Sequence, residues 1–167
     1  MDKFTDPLIE SISLCFGAQI GKTEAELNMI GYALHQTASP VMMVYPTDTI
    51  AKFASDKRVQ PMIRSVEPLA DMYDEGSKLL ELDFVNGNYM VLVGANSPSS
   101  LSSRSIKYLF FDEIDKYPAF SGKEANPIKL AEERTKTFVD KKIVPFEKIR
   151  TQQKAMKRIE QLFADET

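Results

Sequence analysis

The chain has 167 residues, of which 43% are hydrophobic and 27% charged, and its formal net charge is -3 at pH 7. These values suit one soluble globular domain with a real core and exclude a disordered or collagen-like chain. A charge this mild supplies no bulk attraction to nucleic acid or an anionic membrane, so any such contact rests on a local patch. One cysteine, Cys15, excludes an internal disulfide framework and fits a reducing cytoplasm, and one histidine, His35, excludes a histidine-rich metal site. No apolar run approaches the ~20 residues of a membrane helix, and MDKFTDPLIE is too acidic for a secretory signal.

After a polar lead-in with Pro7, Ile12, Leu14 and Phe16 alternate with Ser11, Ser13 and Cys15, the pattern of a short strand. GAQIGKTE, residues 17–24, forms a glycine-bearing turn, and Ala25, Leu27, Ile30, Ala33 and Leu34 continue at helical spacing. A strand, a glycine turn and a helix in that order make a phosphate-binding loop: backbone N–H groups wrap an anion at the helix N-terminus. Lys22 then neutralises phosphate charge and the Thr23 hydroxyl ligates Mg²⁺. The full pattern G-x-x-x-x-G-K-[ST] is not met, because Phe16 stands at the first glycine position and Gly17 comes one residue late.

Residues 40–46, PVMMVYP, read as a buried strand bounded by prolines, and Thr47 or Asp48 caps a helix whose expected inner face is Ile50, Ala51, Phe53 and Ala54. Pro61 and Pro68 are expected to break the next stretch into one or two short helices through Tyr73. Lys52, Lys57, Arg58 and Arg64 read as solvated helix charge interleaved with Asp56 and Glu67, ahead of a DNA-facing surface. Residues 79–85 and 89–93 flank Asn86-Gly87, a strong hairpin signal. A loop of small polar residues follows, in which Arg104 is either a cation for γ-phosphate charge or a local loop contact.

SIKYLFFDEIDKYP, residues 105–118, is a buried strand that ends on two adjacent carboxylates, Asp112 and Glu113. In an open α/β sheet the C-terminal edge of the strands binds ligands, so Asp112 can face a metal ion and Glu113 a water. Beyond it the spacing predicts a helix over residues 127–137, with Ile128, Leu130, Ala131 and Arg134 on one face. A strand starts at Lys141 and is expected to stop at Pro145. Residues 147–164 form a basic amphipathic helix with Ile149, Met156, Ile159 and Phe163 as its apolar stripe.

Read together, FGAQIGKTE (16–24), VYPTDTIAKFASDKRVQPMI (44–63), LVGANSPSSLSSRSIKYLFFDEIDKYP (92–118) and LAEERTKTF (130–138) resemble the ATPase domain of phage terminase large subunits, in the lambda-like branch. The resemblance implies an α/β fold: a P-loop NTPase-like three-layer sandwich with a mostly parallel central sheet and an inserted β-hairpin, incomplete at its C-terminal side. It also accounts for the irregular loop, since the family carries a Gln-x-Gly-Lys-Thr variant, here Gln19 to Thr23. The implied cofactors are ATP and Mg²⁺. Gly17, Ala18, Gln19, Ile20, Gly21, Lys22 and Thr23 would cradle the nucleotide, Thr23 and Asp112 would hold Mg²⁺, and Glu113 would act on the attacking water. Lys22 would stabilise phosphate charge during catalysis, and Arg104 is the candidate for an arginine supplied between subunits. The implied partners are double-stranded phage DNA, the terminase small subunit, the portal and procapsid, and further copies in a ring, all in the bacterial host cytoplasm and with no membrane.

Two departures limit what the resemblance carries over. Around Val144 the chain reads VPFEKIRTQQ where the family has a Ser/Thr-Pro-Thr coupling motif, and no nuclease domain follows. Only residues 1–16 precede the loop, so the upstream region that helps hold adenine is expected to be missing. The expected organisation is a partial ATPase domain over residues 1–143 and a divergent basic helical tail over 144–167, with the sheet left open where a strand should follow Phe138. Such a fragment would bind Mg·ATP with weak or no hydrolysis. The alternative is a non-catalytic prophage remnant or interaction module that docks on another terminase subunit. A small nucleotide kinase would need an arginine-rich lid that the chain lacks.

Overall fold

Apolar runs covered on both faces become the strands of one sheet. The computed structural model describes residues 2–17, 21–119 and 126–148. Its strands are β1 (Leu14–Phe16), β2 (Val41–Tyr45), β3 (Glu81–Asp83), β4 (Tyr89–Gly94), β5 (Tyr108–Asp112) and β6 (Lys142–Lys148). Its α-helices are α1 (Asp2–Thr5), α2 (Lys22–His35), α3 (Asp48–Ala54), α4 (Gln60–Ser65), α5 (Glu67–Ala70), α6 (Pro98–Leu101) and α7 (Pro127–Glu132). The strand order is β1-β6-β5-β2-β4-β3, and every neighbouring pair is parallel except β3 with β4.

Alternate side chains of each strand enter two separate cores, which makes three layers. On one face Met43, Leu92, Phe110 and Phe146 pack with Ile30 and Leu34 of α2, Ala51 and Ala54 of α3, and Ile63 of α4. On the other, Met42, Val44, Val93, Leu109 and Phe111 pack with Leu101 and Ala131. Two covered faces explain why β2 and β5 read as unbroken apolar runs rather than as alternating ones. The hairpin turns at Gly87, whose φ of 80° a side chain rarely adopts. Its first strand is shorter than expected, and its second, β4, is an inner strand of the main sheet paired with β2.

The structure corrects three readings, two of which rested on proline. The first concerns Pro145, which does not end its strand: β6 continues to Lys148 and lies between β1 and β5. The sheet is therefore not open after Phe138, and β6 runs through position 143/144, where the domain was expected to end. Proline is tolerated because the missing donor falls at a gap in one ladder. Ile143 accepts from Ile12 N–H at 3.0 Å and donates to Glu10 O at 2.8 Å, then pairing with β1 resumes at Leu14↔Phe146. Pro145 sits opposite the intervening Ile12–Ser13 stretch, where its N–H would have met the Ile12 carbonyl. Of the helical tail expected over residues 144–167, residues 144–148 belong to strand β6 instead, and residues 149–167 lie outside the described residues.

The second correction concerns Pro61, which does not break its helix. α3 and α4 are continuous through a π-helical turn, Ser55–Val59, where Gln60 N–H reaches back to Ser55 O. Proline cannot donate to Lys57 O, and its ring crowds that carbonyl, so the backbone widens by one residue just before it. The third correction follows Pro127: the helix expected over residues 127–137 stops at Glu132 and tightens into a 3-10 turn, Glu133–Thr135. Lys142, buried at the start of β6, ties down the lead-in by donating from Nζ to the carbonyls of Asp6 and Ile9. Burial lowers its pKa from the ordinary lysine value.

Candidate active site

Four loops meet at the C-terminal edge of the parallel strands, and α2 aims its N-terminus there. Gly21 begins α2 with φ 84° and ψ 21°, a left-handed conformation that favours glycine, and a Cβ built on it would meet nothing within 4 Å. Among the described residues, no side chain caps this end of the helix. The N–H groups of a 14-residue helix are therefore presented to the cleft together with the positive end of its dipole. Ala18, Gln19 and Ile20 lie outside the described residues.

Lys22 and Asp112 are 90 residues apart in sequence, and here the Lys22 ammonium donates directly to the Asp112 carboxylate. Strand β6 sets that geometry, since it spaces β1 from β5 and leaves the two termini facing each other across one strand. Asp112 ends β5 at 7% exposure. Glu113 then adopts φ 53° and ψ 49°, a left-handed conformation that costs a non-glycine residue about 1–2 kcal/mol. That turn throws the chain into a 3-10 turn at Ile114–Lys116 and holds Glu113 N–H 3.2 Å from Phe146 O. The Glu113 carboxylate accepts from Lys116 Nζ at 2.6 Å.

Around these groups lies an open cleft of about 440 Å³. Of the residues expected at the site, Gly17, Gly21, Lys22, Thr23, Asp112 and Glu113 all line it. Six further residues line it: Glu24 from the first turn of α2, and Tyr45, Ile50, Phe53, Ala54 and Arg58 from the end of β2 and the α3–π-turn segment. Of the expected inner face, Ala51 and Ala54 do fill the core, but Ile50 and Phe53 are 37% and 57% exposed. Arg58, read from sequence as solvated charge, also faces this cleft. The loops after β2 and β4 are buckled together beside it, because Asp48 accepts from Gly94 N–H at 2.9 Å and from the Ser97 hydroxyl.

Arg104 is not at this edge. Its guanidinium pairs with Glu81 at 3.1 Å and lies 5.4 Å from the Tyr89 ring centroid. Tyr89 begins β4, and its hydroxyl donates to Ser105 O at 2.6 Å. Arg104 therefore sits at the N-terminal ends of the strands, across the sheet from Asp112, and has no access to this chain's own cleft.

Glu26 was not singled out from the sequence, yet it is the most perturbed acid of the site. It lies one turn into α2 from Lys22, is 2% exposed, and leaves Oε1 without a hydrogen-bond partner among the described residues. Burial first, then the negative charge of Asp112, raises its pKa from 4.5 to about 9, against the opposing charges of Lys22 and Arg58. Glu26 thus holds its proton at neutral pH and leaves Lys22 to Asp112. Burial also raises the Asp112 pKa, opposed by the Lys22 hydrogen bond and charge. A signal was present in the sequence: Glu26 shares a helical stripe with Ile30, Ala33 and Leu34, an acid on an apolar face. Burial pushes the Tyr45 and Tyr117 hydroxyls far up as well. The Tyr117 hydroxyl donates to Val44 O at 2.6 Å and pins the segment after the acids to β2.

The fit to a phosphate-bearing ligand rests on these features: an uncapped helix N-terminus, an open left-handed glycine, and a lysine–aspartate pair able to exchange partners. Among the described residues, no helix is long and apolar enough to cross a membrane. Comparison with solved structures gives the same fold. The HK97 bacteriophage large terminase matches with a TM-score of 0.67 at 10% identity, over 87% of this chain and 31% of that one. The Thermus phage P74-26 large terminase ATPase domain matches at 0.59 and 16%, over 83% and 59%. The large terminase of the thermophilic bacteriophage D6E, in complex with ADP, matches at 0.55 and 15%, over 88% and 37%. A curated relative, the terminase large subunit of Enterobacteria phage P21, is 21% identical over 140 residues, 80% of this chain and 22% of that protein. The chain thus spans about a fifth of the curated relative's length. The family model described as "Phage terminase large subunit gpA, ATPase domain" matches residues 1–165, and the chain belongs to that family.

Proposed function

We propose that this cleft binds ATP with Mg²⁺ and hydrolyses it, as the ATPase element of a motor that drives double-stranded phage DNA into a procapsid. The observation that carries the reading is the Lys22–Asp112 pair, which joins the phosphate loop to the acid-bearing strand end. The ADP-bound D6E terminase, similar in fold, supports a nucleotide as the ligand. The α2 N-terminus and Gly17–Gly21 side of the cleft receive the phosphates, and Lys22 turns from Asp112 onto them. Thr23 and Asp112 would hold Mg²⁺, which when bound neutralises charge on the phosphate oxygens. Glu113 exchanges Lys116 for a water and orients it toward the terminal phosphate. Ile50 and Phe53 give the same cleft an apolar side. Family membership supports the motor setting proposed here, with terminase small subunit, portal, procapsid and a ring of copies in the host cytoplasm.

The test is calorimetric titration of the purified chain with Mg·ATP beside Lys22→Ala. Wild type should bind, and the variant should bind at least ten-fold more weakly. Equal binding by both, or no binding by either, refutes the assignment.

A further inference from the structure

The cleft contains a positive charge that the reading above does not use. Lys22 is committed to Asp112 and Lys116 to Glu113. Arg58 lines the same cleft, is exposed, and forms no ion pair among the described residues. Its guanidinium lies 6.0 Å from the Phe53 ring centroid, and its charge is felt by Asp112, Glu26 and Tyr45.

The backbone shows why an arginine faces this way. In a regular α-helix, positions 51, 54, 55 and 58 share one face. Ala51, Ala54 and Ser55 are buried, so an unbroken helix would drive residue 58 into the core. The π-turn adds one residue and gives that slot to Val59, which is 0% exposed, while Arg58 moves out to the cleft. Single π-turns inside helices recur at functional sites. The turn is also held from outside, since the Ser55 hydroxyl donates to Leu79 O and Gln60 Nε2 donates to the Ser55 hydroxyl at 3.1 Å.

We propose that Arg58 is a second phosphate cation of the cleft, acting from the chain's own α3–π-turn on the terminal phosphate of a bound nucleoside triphosphate. The inference rests on the nucleotide reading above. Arg58 reaches in from the β2 side and the α2 N-terminus from the β1 side, so a polyphosphate laid over Asp112 and Glu113 meets both. Guanidinium suits the task, since its planar fork pairs with two phosphate oxygens and stays charged at every working pH. Arg58 would then distinguish triphosphate from diphosphate, whereas Lys22 serves both.

The experiment measures calorimetric affinities of wild type, Arg58→Ala and Arg58→Lys for ADP and for the non-hydrolysable β,γ-imido analogue of ATP, each with Mg²⁺. Circular dichroism checks that the variants fold. Arg58→Ala should lose about ten-fold in triphosphate affinity, the size of a charge-assisted contact of ~1.4 kcal/mol, with ADP affinity within two-fold of wild type. Arg58→Lys should recover part of the loss. If Arg58→Ala keeps the wild-type ratio of the two affinities, whether both hold or both fall together, the role of Arg58 is refuted while the nucleotide site stands. If wild type binds neither ligand, both readings fall.

Discussion

Replacing Glu26 by glutamine should flatten the pH dependence of stability, and the size of the effect follows from its burial. In the unfolded chain this carboxyl ionises near its ordinary value of 4.5, but in the fold it keeps its proton up to about 9. Between those values the folded state binds more protons than the unfolded one, so stability falls as pH rises. The contribution is fully present below pH 4.5, declines through neutrality, and is lost above 9. At about 1.4 kcal/mol per unit the loss reaches about 3 kcal/mol by pH 7. Glutamine has the same shape and no charge to desolvate, so Glu26→Gln should match wild type near pH 4.5 and exceed it by about 3 kcal/mol at pH 7. Urea denaturation of both proteins at several pH values from 4.5 to 8.5 gives the two curves. If the curves run parallel, Glu26 is ionised in the fold and its placement against Asp112 is wrong.

Two further substitutions test the scaffold around the cleft. Gly94→Ala would place a Cβ 2.3 Å from Asp48 N and 2.4 Å from Asn96 Oδ1, so the loops after β2 and β4 must separate. A loss of roughly 1–3 kcal/mol, or more, is expected in urea denaturation. Pro145→Val keeps an apolar side chain and restores the donor that β6 lacks toward Ile12. It should add about 1 kcal/mol, and the amide it introduces at residue 145 should exchange as slowly as those of its β6 neighbours; rapid exchange there would refute the register.

Much of the fold was legible because its determinants are local. The run VMMVY could only be a strand covered on both faces, and YLFFDE placed two acids at a strand end without any knowledge of the neighbours. Gly21-Lys22-Thr23 announced a helix start, and Asn86-Gly87 announced a hairpin. Proline was read too strictly at Pro61 and Pro145. A missing N–H need not stop an element: the turn before Pro61 widens around it, and at Pro145 only the β1 ladder loses a bond, opposite Ile12–Ser13, while pairing with β5 runs on. Where the two arginines lie was not legible for a related reason. Arg104 stood in a loop beside a motif, yet that loop opens the N-terminal end of β5, whereas Arg58 looked like ordinary helix charge.

The sequence by itself determined the α/β class, the candidate phosphate loop and the paired acids, since each depends on residues within a turn or two of one another. Tertiary structure decided what those residues meet. Only the insertion of β6 between β1 and β5 sets Lys22 against Asp112. Only burial under α2 keeps Glu26 protonated, and only the extra residue of the π-turn brings Arg58 into the cleft. Charge and desolvation act through space between segments far apart in the chain, and no spacing along the sequence records them.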